Sequence, residues 1–310
     1  MSLAGRPIVV VGSINIDLVA STQHIPAPGE TISGSDFQVH PGGKGANQAV
    51  AVARLGYPVQ MIGRVGNDAF GTQLHEHLVS AGVDGSAVMT TEGPSGVAVI
   101  VVADSGENSI VVVPGANAHL SPKDLDDHVE LIRSAGIVLT QLETPLETVL
   151  HLVAICSREG VPLILDPAPA RSLPKELIQG VTWFTPNESE AAFFMADSAQ
   201  AGTSAETAEA LMERGARGVV LKLGARGAYV ATAEGLRAAI SPFLVEAVDT
   251  TAAGDCFNGA FATALCQGQD PVASARYAAA AAAIAVTRMG AQPSMPTAIE
   301  VQAMLESGRL

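Results

Sequence analysis

The sequence predicts an α/β protein built on a mostly parallel central sheet, and three observations carry that prediction. Continuous apolar runs such as Pro7-Ile8-Val9-Val10-Val11-Gly12 recur along the chain, as strands buried on both faces require. Stretches of helical length alternate with them, as βαβ crossovers demand. Glycine is frequent, at 31 of 310 residues, while aromatics make up only 4 %, which suits tight strand-to-helix turns and close helix–sheet packing. A chain of this length forms one large α/β unit or two domains.

The first apolar run ends in Ser13-Ile14-Asn15-Ile16-Asp17. Polar groups at the carboxyl end of a central parallel strand stand where open α/β sheets bind ligands, although Asn and Asp are also ordinary turn residues. Pro26-Ala27-Pro28-Gly29-Glu30-Thr31-Ile32-Ser33-Gly34 breaks the helix expectation and reads as short exposed strands. Two Val/Ile-rich runs, 95–103 and 109–114, flank Asp104-Ser105-Gly106-Glu107-Asn108 and read as a hairpin. These insertions, about 15–42 and 95–115, predict a small β lid over the sheet edge. Its exposed apolar face asks for a partner, and a homodimer through the lid is expected.

Between the insertions, Pro41-Gly42-Gly43-Lys44-Gly45-Ala46-Asn47-Gln48 opens an Ala/Val helix running to about Leu55. Glycines here allow the backbone to approach a ligand closely, with Lys44 and Asn47 as donors at the helix start. A glycine-rich lead-in to a packed helix is the plainer reading. The loop is not a Walker A sequence, because Gln38 stands where that pattern needs glycine and Gly45 where it needs Ser or Thr. No GxGxxG occurs, which argues against a dinucleotide site.

A strand over 59–65 and a helix over 70–81 follow. A helix over 118–134 is capped at Ser121, with Pro122 next and Asp124 near the start. The strand over 137–142 ends in Glu143. Thr144-Pro145-Leu146-Glu147 then reads as a capping box, which explains Glu147 and leaves Glu143 unexplained. A strand over 162–165 ends in Asp166-Pro167-Ala168-Pro169. Another, around Thr182-Trp183-Phe184, ends in Thr185-Pro186-Asn187-Glu188, a second capping box that leaves Asn187 and Glu190 to face the crevice. Residues 197–204 form a small-residue loop. A strand over 218–223 turns through Gly224-Ala225-Arg226-Gly227 into a strand over 228–231, and that turn suits a phosphate or a plain hairpin equally well.

A period-two run over 243–248 feeds Val248-Asp249-Thr250-Thr251-Ala252-Ala253-Gly254-Asp255, and a small-residue helix over 257–265 leaves it. Ala252, Ala253 and Gly254 permit a tight turn with bare N–H groups at a helix start, an anion site by its dipole and donors. Asp255 stands beside it, a carboxylate able to deprotonate a hydroxyl while the turn holds the group under attack. An ordinary first-turn acid is the bland alternative. Asp270-Pro271 begins an alanine-rich packing helix, Gly290 ends that element, and Gln292-Pro293-Ser294 turns back toward the sheet.

The net charge of -14 argues against a nucleic-acid or anionic-membrane surface, so an anionic substrate needs local groups or a metal. No apolar run of about 18 residues and no signal pattern occur, and a cytoplasmic location is expected. Residues 1–5 read as an unstructured leader. Cys156, Cys256 and Cys266 form no CxxC pair and read as reduced, buried thiols. His75 and His77 flank Glu76 without making an HExxH helix, so no catalytic zinc is expected.

The unexplained polar groups, Asn15/Asp17, Glu143, Asp166, Asn187/Glu190 and Asp249/Asp255, converge on one crevice by the switch-point rule. A base, an anion hole, a glycine-rich loop and spare carboxylates for a divalent ion suit phosphoryl transfer to a hydroxyl.

Residues 12–294 resemble the ribokinase branch of the PfkB carbohydrate kinase family. The resemblance rests on GGKGANQA at 42–49, continuing into IGRVGNDAFG at 62–71, and on DTTAAGD at 249–255. QLETP, DPAPAR, TPNESE and AVTRMGAQPS match at the corresponding places. It implies a three-layer fold, one domain over 1–310, and ATP-dependent phosphorylation of the 5-hydroxyl of D-ribose. Asn15, Asp17, Gly43, Lys44, Asn47 and Glu143 would bind the sugar, and Asp255 would take the hydroxyl proton beside an anion hole of Ala252, Ala253 and Gly254. Asn187 and Glu190 would serve the phosphates and magnesium, largely through water. Leu223, Gly224, Ala225, Arg226, Gly227 and Ala228 would lie along the ATP, as would Gly254 and the helix containing Ala279.

The resemblance further implies a potassium site from Asp249, Thr251, Ala285, Arg288, Gly290 and Ser294, mostly through backbone carbonyls. Ala279 departs from the pattern, since some ribokinases have a histidine against the adenine there. A kinase for 2-deoxyribose or a nucleoside is the runner-up, although few aromatics weigh against stacking a nucleobase. A sensor with the fold but no catalysis is a third reading, opposed by the retention of Asp255 and its turn.

Overall fold

The computed structural model describes residue 3, residues 5–195 and residues 202–308. Most of the leader expected at 1–5 and of the loop expected at 197–204 lies outside the described residues. The chain opens with β1 (Ile8–Val11), leaves the large sheet for β2 (Asn15–Thr22) and β3 (Asp36–Gly42), and returns through β4 (Val59–Gly66) and β5 (Asp84–Thr91). It leaves again for β6 (Gly96–Ala103) and β7 (Asn108–Val113). The large sheet is completed by β8 (Ile137–Thr140), β9 (Leu163–Leu165), β10 (Trp183–Phe184), β11 (Gly218–Lys222), β12 (Ala228–Thr232) and β13 (Arg237–Ile240). Its order is β13-β12-β11-β10-β9-β8-β1-β4-β5, parallel from β5 to β11 and antiparallel only at β12 and β13.

The alternation within β1 shows why its strand is apolar throughout. Ile8 and Val10 belong to the core on one side of the sheet, Val9 and Val11 to the core on the other. The first core takes the helices Lys44–Arg54, Ala253–Cys266 and Pro271–Ala285, and the second takes Leu146–Glu159 and Ser204–Glu213. The three layers expected are therefore present. Phe261 anchors the Ala253–Cys266 helix: it is fully buried and meets Trp183 edge-on, with ring centroids 5.2 Å apart. Burying one such side chain stabilises the fold by roughly 1.5–3 kcal/mol.

The small sheet runs β3-β2-β6-β7, built from the two insertions that the sequence assigns to a lid. Its outer face is apolar and open, with Phe37 61 % and Val111 60 % exposed.

Some local expectations are corrected. Residues 26–34 form no strand: they are the loop between β2 and β3, where two prolines lack the N–H a ladder needs. Asn15 and Asp17 are not at the end of a central strand but on β2 of the small sheet. The helix expected over 118–134 is a 3-10 turn, Gly115–His119, and two short helices, Pro122–Asp127 and Val129–Ser134; Ser121 and Asp124 do form a capping box. The run 243–248 pairs with no strand and crosses the surface, leaving Leu244 83 % exposed.

Neither predicted capping box starts where the sequence suggested. Thr185 is held in the ladder, its N–H and hydroxyl both donating to Leu165 O, so Asn187 becomes the N-cap and Glu190 its partner. Thr144 stays in the core, and its helix begins at Leu146 behind Pro145 without a side-chain cap.

Candidate active site

Because β1, β8, β9, β10 and β11 are parallel, the residues following them share one side of the sheet. Ser13, Glu143, Asp166, Asn187 and Lys222 gather there. The glycine-rich loop packs down onto the same end. Gly43 has φ +88°, and a Cβ on it would lie 2.7 Å from the Asn15 amide nitrogen. One on Gly45 would lie 2.7 Å from the Ser13 nitrogen. Both glycines are therefore needed for close contact with protein backbone, in keeping with the plainer reading of this loop as a lead-in to a packed helix. Seated this closely, the helix start directs Lys44, Asn47 and Gln48 at Asp255.

Asp255 occupies the first turn of the Ala253–Cys266 helix and is buried. Asn47 Nδ2 donates to its Oδ2 at 3.0 Å, and Gln48 Nε2 donates to its Oδ1 at 3.1 Å. Gln48 Nε2 also reaches Asp166 Oδ2 at 3.0 Å, and Lys222 Nζ donates to Asp166 Oδ1 at 2.9 Å. Gln141 Nε2 holds Gln48 Oε1 at 2.7 Å, and Gln292 Nε2 holds Asn47 Oδ1 at 3.1 Å, so both amides have a defined orientation.

The turn before the helix is strained at a half-buried residue. Ala252 has φ 57°, the single non-glycine residue in the left-handed region among the described residues. That conformation costs an L-residue roughly 1–2 kcal/mol and recurs at functional turns. Ala253 N–H turns back to Thr250 O at 3.2 Å, while the Gly254 and Asp255 N–H groups take no backbone acceptor among the described residues. Those two amides are the free donors of the helix start.

Toward the small sheet, Asn15 Oδ1 accepts from Asn117 Nδ2 at 2.7 Å. Asp17 overhangs Gly42, where a Cβ would come within 2.2 Å of its Oδ2. Glu143 Oε2 accepts from Ser13 Oγ at 2.5 Å and from the Lys44 N–H at 3.2 Å. Burial, then the charges of Glu143 and Asp255, push the Asp17 carboxyl up to about 7. Burial likewise raises Asp255 to about 6, against the pull of Lys44, while Asp166 adds to the rise and Asn47 and Gln48 oppose it. Burial works against the charged form of Lys44, yet Asp255, Asp166, Glu143 and Glu190 together hold its ammonium above the ordinary value.

Beyond Asp255 opens a crevice of about 510 Å³. Gly224, Ala225 and Gly227 line one wall, Ala279, Ala282 and Val286 another, and Gly254 and Asp255 its floor. Leu223 and Ala228 lie buried behind the wall, and Arg226 turns outward to an ion pair with Glu188. Asn187 and Glu190 border the crevice as a closed pair: Asn187 N–H donates to Glu190 Oε2 at 2.8 Å and its Nδ2 to Oε1 at 3.0 Å. With both oxygens engaged, Glu190 suits a water-mediated contact to magnesium, a cation that keeps much of its hydration.

Asp249 ties the loop before the helix to the turn after Pro271–Ala285. Its Oδ1 accepts from Thr251 N–H and Oγ1 at 2.9 and 2.6 Å, and its Oδ2 accepts from Gly290 N–H at 2.8 Å. Although partial burial works the other way, these bonds hold its carboxyl below the ordinary range. Asp249, Thr251 and Gly290 thus come together beside the strained turn. Arg288 bonds through its guanidinium to Glu300 at 2.5 Å and through its N–H to Ala285 O, and Ser294 Oγ donates to Ala291 O. No group of three or more His, Cys, Asp or Glu side chains is placed to hold a metal among the described residues. All three cysteines are free and buried, and burial raises the Cys156 thiol to about 12.

Sequence reasoning passed over Gln48, Gln141, Lys222 and Gln292. Two signals were there to read: Gln48 interrupts an apolar helix face, and Lys222 ends an apolar strand as Asp166 does.

The chain matches the family described as pfkB family carbohydrate kinase over residues 6–298. It is 41 % identical over 303 residues to a ribokinase from Haemophilus influenzae, covering 97 % of this chain and 99 % of the relative. A ribokinase from Bacillus subtilis is 42 % identical over 302 residues, at 97 % and 99 % coverage. The solved structure of Arabidopsis thaliana ribokinase complexed with ribose and ATP superposes with a TM-score of 0.91 at 35 % identity, covering 99 % of each chain.

Proposed function

This chain belongs to the pfkB family of carbohydrate kinases, and we propose that it transfers the γ-phosphoryl group of ATP to the 5-hydroxyl of D-ribose. The observation that carries this reading is the place of Asp255. It lies between the polar groups of the small sheet and the open crevice, held by Asn47 and Gln48, beside free helix-start amides. The likeness of fold to an Arabidopsis ribokinase complexed with ribose and ATP supports these two substrates.

In this reading Asn15, Asp17, Gly43, Lys44, Asn47 and Glu143 bind and orient the sugar. The 5-hydroxyl oxygen attacks the γ-phosphorus, its proton passes to Asp255, and the bond from that phosphorus to the bridging oxygen breaks to release ADP. The turn at Ala252, Ala253 and Gly254 stabilises the charge that builds on the phosphoryl oxygens. Gly224, Ala225, Gly227 and Ala279 border the nucleotide. Magnesium bound with ATP would neutralise phosphate charge, with Asn187 and Glu190 reaching it through water. A potassium ion would be held by Asp249, Thr251, Ala285, Arg288, Gly290 and Ser294. A second copy of the chain covers the apolar face of the lid, giving a homodimer, and the three buried free thiols fit the reducing cytoplasm.

Measuring ADP release with ribose, 2-deoxyribose, fructose and adenosine tests the reading. Ribose is expected to give the highest kcat/KM. A higher value for 2-deoxyribose reassigns the substrate, and ribose binding without turnover of any acceptor would replace the kinase by a sensor.

A further inference from the structure

Two cationic side chains line the crevice among the described residues, Lys44 and Lys222. Lys44 stands in the field of Asp255, Asp166, Glu143 and Glu190. Lys222 borders the crevice with Asn187, Glu190 and Gly224. It is the last residue of β11, bridged to Asn187 through parallel pairing, with its N–H donating to Pro186 O at 2.9 Å. This backbone pairing projects its side chain into the crevice between Glu190 and the helix start. The ammonium lies 3.4 Å from the position a Cβ on Gly254 would take, over the first turn of the Ala253–Cys266 helix.

We propose that Lys222 is a further catalytic residue, its ammonium holding the oxygens of the transferring phosphoryl group, with Asp166 as its positioning residue. The inference rests on the kinase reading above. An ammonium has three N–H donors, and the one hydrogen bond of Lys222 Nζ among the described residues goes to Asp166 Oδ1. That leaves two donors on a side chain that lines the crevice. The side chain is only 11 % exposed and Asp166 3 %, so the charge acts with little screening by water.

The alternative is that Lys222 merely neutralises a buried Asp166. Yet Asp166 also accepts from Gln48 Nε2, the same nitrogen that donates to Asp255. The chain Lys222–Asp166–Gln48–Asp255 therefore sets the cation in fixed register with the base. Lys222 neither gains nor loses a proton in this role; it draws the phosphoryl group to where the hydroxyl oxygen arrives.

Lys222→Met in the full chain is expected to lower kcat with ribose about 100-fold, the scale of losing one preorganised charge-stabilising donor. The ribose Kd, measured by calorimetry without nucleotide, should move less than about twofold, and Lys222→Arg should recover about tenfold of the lost kcat. ATP affinity should weaken and adenosine affinity stay constant. A folded Lys222→Met with kcat within twofold of the parent overturns the proposal, as does Lys222→Arg losing as much as Met. If Asp166 left unpaired prevents folding, the double variant Lys222→Met/Asp166→Asn removes both charges and should show the same loss; retained turnover there overturns the proposal too. A parent chain that phosphorylates no sugar fails the kinase reading instead. The contrast of ATP with adenosine binding in Lys222→Met then decides Lys222 on its own, an unchanged contrast counting against it.

Discussion

The side-chain amide of Asn47 donates to Asp255 Oδ2 at 3.0 Å across 208 positions of sequence. Its own oxygen is held at 3.1 Å by Gln292. The start of the Lys44–Arg54 helix and Asp255 are thus tied together, and the carboxylate is held by side-chain amides before any substrate arrives. Preorganisation of this kind keeps reorganisation cost out of the reaction step.

Asp255→Asn keeps the shape and removes the proton acceptor. We expect kcat to fall by about 10²–10⁴, the usual contribution of a positioned base, with the ribose Kd changed only severalfold. Single-turnover rates alongside ribose calorimetry separate the two. Turnover near the parent level would show that the base lies elsewhere.

With Asp255 as the proposed base, its carboxyl, raised by burial to about 6, is expected to set the acid limb of kcat/KM. The base works ionised, so activity should fall as pH drops through about 6 and level off above it. Gln48 stabilises the charged form by its hydrogen bond. Gln48→Met should therefore displace the limb toward higher pH and reduce kcat about tenfold, whereas a simple packing defect would lower the plateau without moving the limb.

Asp17 predicts a pH-dependent stability. Its folded value of about 7 exceeds the ordinary 3.8, so the native state holds this proton more tightly than the unfolded chain does. The resulting stabilisation is fully present below pH 3.8 and is lost as pH rises through about 7. Asp17→Asn avoids burying the charge and should melt above the parent at pH 8, with the gap closing toward pH 4. Equal melting temperatures at pH 8 would contradict the assigned burial cost.

Asp249 bridges Thr251 and Gly290, so Asp249→Ala should loosen the loop that presents the strained turn. We expect a kcat loss of about tenfold or more and the disappearance of any stimulation by potassium over sodium. A variant that keeps its potassium response would place the cation elsewhere.

Every residue of β7 is exposed in the isolated chain, from Asn108 to Val113. Val111→Glu should convert a dimer into a monomer by sedimentation, with stability otherwise within about 1 kcal/mol as expected for a surface change. A parent chain that sediments as a monomer at all concentrations removes the lid interface.

Much of the site was legible because its signals are local. The 249–255 turn, the glycine-rich loop and the caps depend on backbone donors, dihedral freedom and side-chain reach over three or four residues, all set by neighbours in sequence. The strand runs were legible for a similar reason: Ile8 to Val11 must satisfy a core on each face, and that leaves no polar position. Local chemistry also misled. Thr185 looks like an N-cap until the ladder to Leu165 claims its donors, and the run 243–248 looks like a strand although no neighbour is there to pair with it.

Tertiary structure alone decided which polar groups share a proton or a charge. Gln48 meets Asp166 across 118 positions and Asp255 across 207, and Lys222 meets Asp166 across 56. The last contact exists because β9, β10 and β11 lie side by side with their carboxyl ends together, and those of Gln48 because the Lys44–Arg54 and Ala253–Cys266 helices pack in the same core. The sequence by itself determined most of the elements and the turn that holds Asp255. The raised Asp255 carboxyl and the fixed lysine follow only from the way those elements pack, since burial and proximity are properties of the assembled core.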